Sequence, residues 1–388
     1  MTENKRATDS RINPQPGGLT DLMHDSAWRA PVTLGLMACN IAVFMAMLAF
    51  GAGLWHTSNG VQLAWGANFG PATQDGQWWR LFTAMFLHFG VVHLALNMWA
   101  LWDVGRLVER LLGRTRFLFL YLASGVCGNL LSLVVQGNQA VSGGASGAIF
   151  ALYGALLVFL WRERRQVDKG EFRWLFGAAG VFTVFALVMG HLVPGIDNAA
   201  HVGGLVAGAL LARVLARPWA TGSPRAQSGR WMAGTLLGAV TLLLLARIPA
   251  PSYRMGDELR AREAIRQFLS EDQRISRRWD AILAASRRDP ASFEQLAGYI
   301  DADVTADYQE SFEQLSALDL GAAAPSAKAL EVLRKYAALR KDASHALAEG
   351  LRAQDPVQVR KALETARQAP VLARGVRPPE LPASAGKK

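Results

Sequence analysis

Cysteine is scarce in this chain, with only Cys39 and Cys127 among 388 residues, both inside apolar stretches. Neither has metal-ligand spacing, so both read as small core residues rather than ligands. Charge is sparse too: 19% of residues are charged and 51% are hydrophobic. That balance excludes an ordinary soluble protein of this length and points to a membrane protein with a soluble part attached. The residues before the first apolar run hold Lys5, Arg6, Arg11 and Arg29 but no apolar core. No cleaved signal peptide is therefore expected, and the first span itself directs insertion.

A bilayer-spanning helix needs about 20 mostly apolar residues, with roughly 17 as the lower bound. Seven segments come close, at 32–54, 91–111, 117–136, 146–161, 174–193, 201–216 and 231–247. Several are short and glycine-rich, as in helices packed tightly inside a bundle.

Three connections lack lysine and arginine altogether: 55–76, 137–145 and 194–200. The connections between them are basic. Arg106, Arg110, Arg114 and Arg116 follow the second span; Arg162, Arg164, Arg165, Lys169 and Arg173 follow the fourth; Arg213, Arg217, Arg225 and Arg230 follow the sixth. This asymmetry puts the N-terminus in the cytoplasm and runs the second, fourth and sixth spans from outside to inside. It also accounts for the net charge of +10 as topology rather than as a nucleic-acid surface.

With seven spans, residues from about 250 onward lie outside; if 231–247 is only a surface helix, they are cytoplasmic. This tail reads as soluble helices. Ser292 and Gln295 have capping-box spacing near Pro290, Asp355-Pro356 supplies an N-cap and a helix-starting proline, and Val332, Tyr336 and Leu339 recur as a packing stripe. The end, "RPPELPASAGKK", reads as disordered.

The chemistry concentrates at span starts. Ser146 opens the fourth span within "SGGASGAIFALYGA", and His201 opens the sixth within "NAAHVGGLVAGA". Both spans run inward, so both residues lie toward one membrane face. A serine hydroxyl needs a base to become a nucleophile, and neutral imidazole is the usual one. The transfer requires approach to about 3 Å. Gly147 and Gly154 on one helix, with Gly203, Gly204, Ala207 and Gly208 on the other, permit it. His93 and Asn97, four apart in "HFGVVHLALNMW", share a face of the second span and could donate to an oxyanion alongside the Ser146 amide.

Alternatives weaken against this constellation. Ser146 could simply cap its helix. Asn97 could only bridge helices. Asp197, four before His201, could orient the imidazole as a third member, although capping the sixth span suits its loop position better. His88 and His93 lie about 140° apart around a helix, unlike the shared face of HExxH, and no ExxH follows. Ala148 stands where a G-x-S-x-G elbow needs glycine, which excludes the α/β-hydrolase arrangement. No metal or cofactor is expected.

GASG around Ser146, Ala200-His201-Val202-Gly203-Gly204, and HxxxN at His93 and Asn97 closely resemble the rhomboid intramembrane serine proteases. So do Trp79-Arg80, ahead of the second span, and Glu109 in "GRLVER", which looks like the family's structural glutamate. Trp79-Arg80 alone reads as an interfacial anchor of the first loop. The resemblance covers 31–216. It implies an all-α polytopic fold, a six-helix rhomboid-like bundle here followed by a seventh transmembrane helix and a soluble helical tail. It also implies cleavage of transmembrane protein substrates by a Ser146–His201 dyad, with His93 and Asn97 on the oxyanion and Gly144, Gly147, Phe150 and Gly204 in support. Phe150 departs from the best-known bacterial member of the family, in which a tyrosine stacks on the histidine. The other reading is a non-catalytic scaffold or chaperone that binds transmembrane helices.

The expected organisation is a cytoplasmic segment 1–30, a core 31–216, a basic cytoplasmic linker 217–230, a seventh span 231–247, a soluble domain 252–370 and a disordered end 371–388. The expected setting is the lipid bilayer of a bacterial inner membrane, with no nucleic-acid partner. The tail is expected to bind another protein.

Overall fold

Seven long helices follow one another as the hydropathy pattern predicts: α1 (Pro31–Ala49), α2 (Val91–Leu112), α3 (Arg114–Gln136), α4 (Ser146–Glu163), α5 (Lys169–Leu192), α6 (Asn198–Leu215) and α7 (Pro224–Ala246). They come from a computed structural model that describes residues 30–215, 224–288, 292–374 and 376. The expectations for 1–29, 217–223, Pro290 and 377–388 lie outside the described residues. The expected linker is described from Pro224, where it is already helical.

Among the described residues, six of the helices are long and apolar enough to cross a membrane. α2 reaches that standard only together with the short helical stretch Arg80–Phe86, bent from it by 92°; its C-terminal half carries Asp103, Arg106, Glu109 and Arg110. The protein is thus an all-α polytopic bundle. Among the described residues the β structure is limited to one antiparallel bridge between Asn68 and Ser142.

The first span is shorter than its apolar run. α1 stops at Ala49, and a turn at Phe50 with Gly51 at φ +95° ends it before residue 54. Hydrophobicity continues there, but the backbone turns into the first loop. Cys39 sits on the exposed side of α1 instead of in the core, since an apolar residue on a lipid-facing surface needs no protein partner.

Burial ranks the helices. In α4 72% of the spanning window is buried inside the protein, against 22% for α5 and 11% for α7. The helix that begins with Ser146 is therefore the central one. α1 lacks a side-chain cap at its own N-terminus. Glu109, in the last turn of α2, supplies it, accepting from the Val32 N–H (3.0 Å), the Thr33 N–H (2.7 Å) and the Thr33 hydroxyl (2.7 Å). A buried carboxylate thereby satisfies orphan donors of a neighbouring helix.

Arg80 organises the first loop in the same manner. Its guanidinium, only 7% exposed, donates to the carbonyls of Leu63 (2.7 Å) and Ala67 (3.0 Å). Asn129 of α3 holds the far side of this loop, donating to the Leu81 carbonyl at 2.8 Å.

The tail forms α8 (Met255–Arg288), α9 (Phe293–Ile300), α10 (Ala306–Ser316), α11 (Ala327–Arg352) and α12 (Pro356–Leu372). The Ser292–Gln295 capping box and the Asp355 cap are both present. On α11 the packing stripe runs through Leu330, Leu333, Tyr336 and Ala337, against Ile265, Phe268 and Tyr308. Asp272 accepts hydrogen bonds from the hydroxyls of both Tyr308 and Tyr336 at 2.8 Å.

The chain returns from α7 to the end of the bundle that carries the first loop. The Asn138 amide donates to the Ala250 carbonyl (3.1 Å), and Asp75 accepts from the Gly256 N–H (2.8 Å). Met255 is buried with Leu63, Phe69 and Ala72.

Candidate active site

α4 and α6 touch backbone to backbone. A side chain on Gly204 would stand 1.9 Å from the Gly147 carbonyl oxygen, and one on Gly208 would stand 2.2 Å from that of Ala151. On the opposite side of α6, Gly128 of α3 lies under the Ala200 carbonyl, where a Cβ would come within 2.7 Å. The sixth helix is thus wedged between α3 and α4, with its backbone against a glycine on each side. This brings the first residue of α4 and the first turn of α6 face to face.

The result is a direct hydrogen bond: Ser146 Oγ lies 2.8 Å from His201 Nε2. The other ring nitrogen, Nδ1, lies 3.3 Å from Asn198 Oδ1. The Asn198 amide nitrogen donates to the Leu187 carbonyl of α5 (2.9 Å), which turns Oδ1 toward the imidazole. An amide oxygen can only accept, so Nδ1 carries the hydrogen and Nε2 is left free to accept the serine proton. Gly190 makes room for this amide, since a Cβ there would be 2.1 Å from Asn198 Oδ1. Phe150 lies flat on the opposite side of the ring.

Gly144 shapes the space beside the hydroxyl. Its φ of +148° disfavours a side chain, and a Cβ would meet His93 Nε2 at 3.1 Å and Ser146 Oγ at 3.6 Å. His93 Nδ1 accepts the Phe89 N–H (3.4 Å), so Nε2 bears the hydrogen and faces this space. α4 has no side-chain cap, so the N–H groups of its first turn are not claimed by a capping side chain. Ser146 is therefore not a helix cap: its hydroxyl is committed to His201. Asn97, 6% exposed, donates to the His93 carbonyl one turn back (2.8 Å) and keeps a second N–H.

Asp197 does not approach the imidazole as a third member would. Its carboxylate accepts from the Ala200 N–H (3.0 Å), which makes it the cap of α6, and also from the Ser132 and Ser142 hydroxyls. Tyr153, three residues after Phe150, stacks on Phe182 and donates to Asp103 (3.2 Å), away from the pair. Asn198 was not among the expected site residues. Its sequence signal is a polar residue one turn before His201, on the same helix face.

The fold and this site define a class: a polytopic membrane bundle with a serine–histidine pair at the start of two adjacent helices. The Rhomboid domain family model matches residues 75–218. The chain is 39% identical over 190 residues to the rhomboid protease GluP of Bacillus subtilis, covering 49% of this chain and 34% of that protein. It is 38% identical over 146 residues to the chloroplastic RHOMBOID-like protein 9 of Arabidopsis thaliana, 38% of this chain and 33% of the relative. With the rhomboid protease AarA of Providencia stuartii it shares 30% identity over 201 residues, 46% of this chain and 70% of the relative. The matched stretch spans about a third of the first two relatives and most of the third. The chain belongs to the rhomboid family and is an integral membrane protein.

Proposed function

We propose that this protein is an intramembrane serine endopeptidase that cleaves transmembrane protein substrates. The observation that carries the reading is the 2.8 Å contact between Ser146 and an imidazole whose far nitrogen is held by Asn198. The names of GluP and AarA as rhomboid proteases support it.

In the reaction, Ser146 Oγ attacks the scissile carbonyl carbon while its proton passes to His201 Nε2. The carbonyl oxygen becomes an oxyanion beside Gly144, where His93 Nε2–H and the Ser146 amide donate to it. The second N–H of Asn97 joins them. The tetrahedral intermediate collapses as His201 returns the proton to the leaving amine nitrogen, leaving an acyl ester on Ser146. Water, deprotonated by the same imidazole, then releases the acid and restores the serine.

A hydrogen-bonded helix hides its scissile carbonyl, so the substrate segment must unwind locally. Helix-breaking residues, and a small residue before the cut, favour that. The basic residues of alternate connections support an orientation in which the pair lies near the outer face. The contacts of residues 250–256 with Asn138, in the connection after α3, and with Asp75, in the first loop, support a seventh span, with the soluble domain 252–370 on that same side.

The reading is tested with a fluorophosphonate probe on purified protein in detergent. It predicts one adduct, mapped by mass spectrometry to Ser146 and absent from His201→Ala. Labelling elsewhere, or equal labelling of Ser146→Ala, contradicts it.

A further inference from the structure

We propose that Asp197 is a positioning residue for the Ser146–His201 pair, joining the loop that delivers the serine to the helix start that delivers the histidine. The inference rests on the proposed function for its kinetic consequence, and on geometry alone for its structural one.

One carboxylate gathers donors from three elements. From α6 it takes the Ala200 N–H at 3.0 Å. From α3 it takes the Ser132 hydroxyl and, at 3.4 Å, the Gln136 side-chain amide. From the loop ahead of α4 it takes the Ser142 hydroxyl. Both serines share Oδ2, while the helix cap and Gln136 share Oδ1. Oδ1 therefore ties α6 to α3, and Oδ2 ties α3 to the loop ahead of α4.

The loop is fastened around this point. The backbone of Ser142 exchanges both hydrogen bonds with Asn68 at 2.9 Å, and the Gly144 N–H donates to the Ala84 carbonyl at 2.8 Å. Ser146 follows two residues later. His201 lies four residues after Asp197, about one helical turn or 6 Å along the axis. Displacing the carboxylate moves serine and histidine relative to each other, and proton transfer tolerates little misplacement. The charge suits the reaction as well. His201 sits at the positive end of α6, where an imidazolium is disfavoured, and an anion one turn away offsets that end as the ring takes the proton.

A capping role alone would not require aspartate. Serine caps a helix about as well, with a single, shorter-reaching oxygen. Asp197→Ser thus separates cap from clamp. Hydrogen exchange by mass spectrometry on the full chain reads the structural arm. The clamp predicts faster exchange in both 137–146 and 198–205; a cap alone predicts change confined to 198–205 or none, which overturns the proposal whether or not the protein proves to be a protease.

The kinetic arm uses kcat, KM and the rate of fluorophosphonate labelling. Asp197→Ser should lower kcat by roughly tenfold or more at unchanged KM, within the range that a positioned base contributes. Ser132→Ala with Ser142→Ala, which leaves the cap and the charge intact, should reproduce most of the loss. Adding Asp197→Ser to that pair should cost little more. Wild-type kcat in Asp197→Ser, or losses that simply multiply, overturns the clamp. Wild-type protein that neither cleaves nor labels refutes the proposed function, and the exchange arm still decides between clamp and cap.

Discussion

Phe150 lies flat against the imidazole of His201, ring centroids 4.3 Å apart and planes 8° from parallel. The contact needs a flat ring and no hydroxyl, so phenylalanine suffices here. Phe150→Leu keeps apolar bulk but loses the flat face. Leucine is smaller than phenylalanine, and the buried contact it gives up costs on the order of 1 kcal/mol. The expected outcome is a melting temperature close to wild type with kcat down several-fold, measured on the same preparation. An unchanged kcat would show that the stacking does not hold the ring.

Asn198 controls which imidazole nitrogen carries the hydrogen. Asn198→Ala removes the acceptor and should lower kcat by on the order of a hundredfold, the low end of what a positioned base supplies. Asn198→Asp keeps an oxygen toward Nδ1 and should retain more activity than the alanine variant. Equal kcat in wild type and Asn198→Ala would refute the assignment.

Gly204 has no room for a methyl group, with the Gly147 carbonyl oxygen 1.9 Å from where its Cβ would stand. Gly204→Ala must push α6 off α4, and overpacking of this kind typically costs about 1–3 kcal/mol. Both melting temperature and activity should fall. Gly180→Ala is the control: nothing lies within 4 Å of its Cβ position, and alanine favours a helix by about 1 kcal/mol. Its melting temperature should hold or rise.

Much of the bundle was legible because its signals are local. A run of apolar residues announces a span, and small residues four apart announce a close helix contact, as at Gly204 and Gly208. The Ser146–His201 pairing could be read because both residues open helices that run in the same direction. What could not be read depends on partners distant in sequence. The role of Asn198 requires the Leu187 carbonyl of another helix to turn its amide. The reach of Asp197 to Ser132 and Ser142 spans 65 and 55 residues, and nothing in its own segment announces it. The early end of α1 hides inside an apolar run because hydrophobicity records burial in lipid or protein, not the path of the backbone. The Met255 contact with Leu63, Phe69 and Ala72 joins segments that composition assigns to different parts of the chain.

That contact predicts a topology that can be measured. In a background with Cys39→Ser and Cys127→Ser, cysteines placed singly at Asn138 and Ser252 should react with an impermeant thiol reagent from the same side of the membrane. A cysteine at Arg165 should react only from the other side. Labelling of positions 138 and 252 from opposite sides would rule out the seventh span and return the tail to the cytoplasm.

The central claim is that Ser146, activated by His201, cuts a peptide bond within or beside a substrate's membrane segment. The most direct test reconstitutes wild type, Ser146→Ala and His201→Ala in liposomes, each with a single-span substrate carrying a helix-breaking residue near its outer end. The account predicts that wild type cleaves at one site near that end and that neither variant cleaves, although all three melt alike. Cleavage by Ser146→Ala at the wild-type rate would contradict it. So would substrate binding without cleavage by every form, the behaviour of a scaffold.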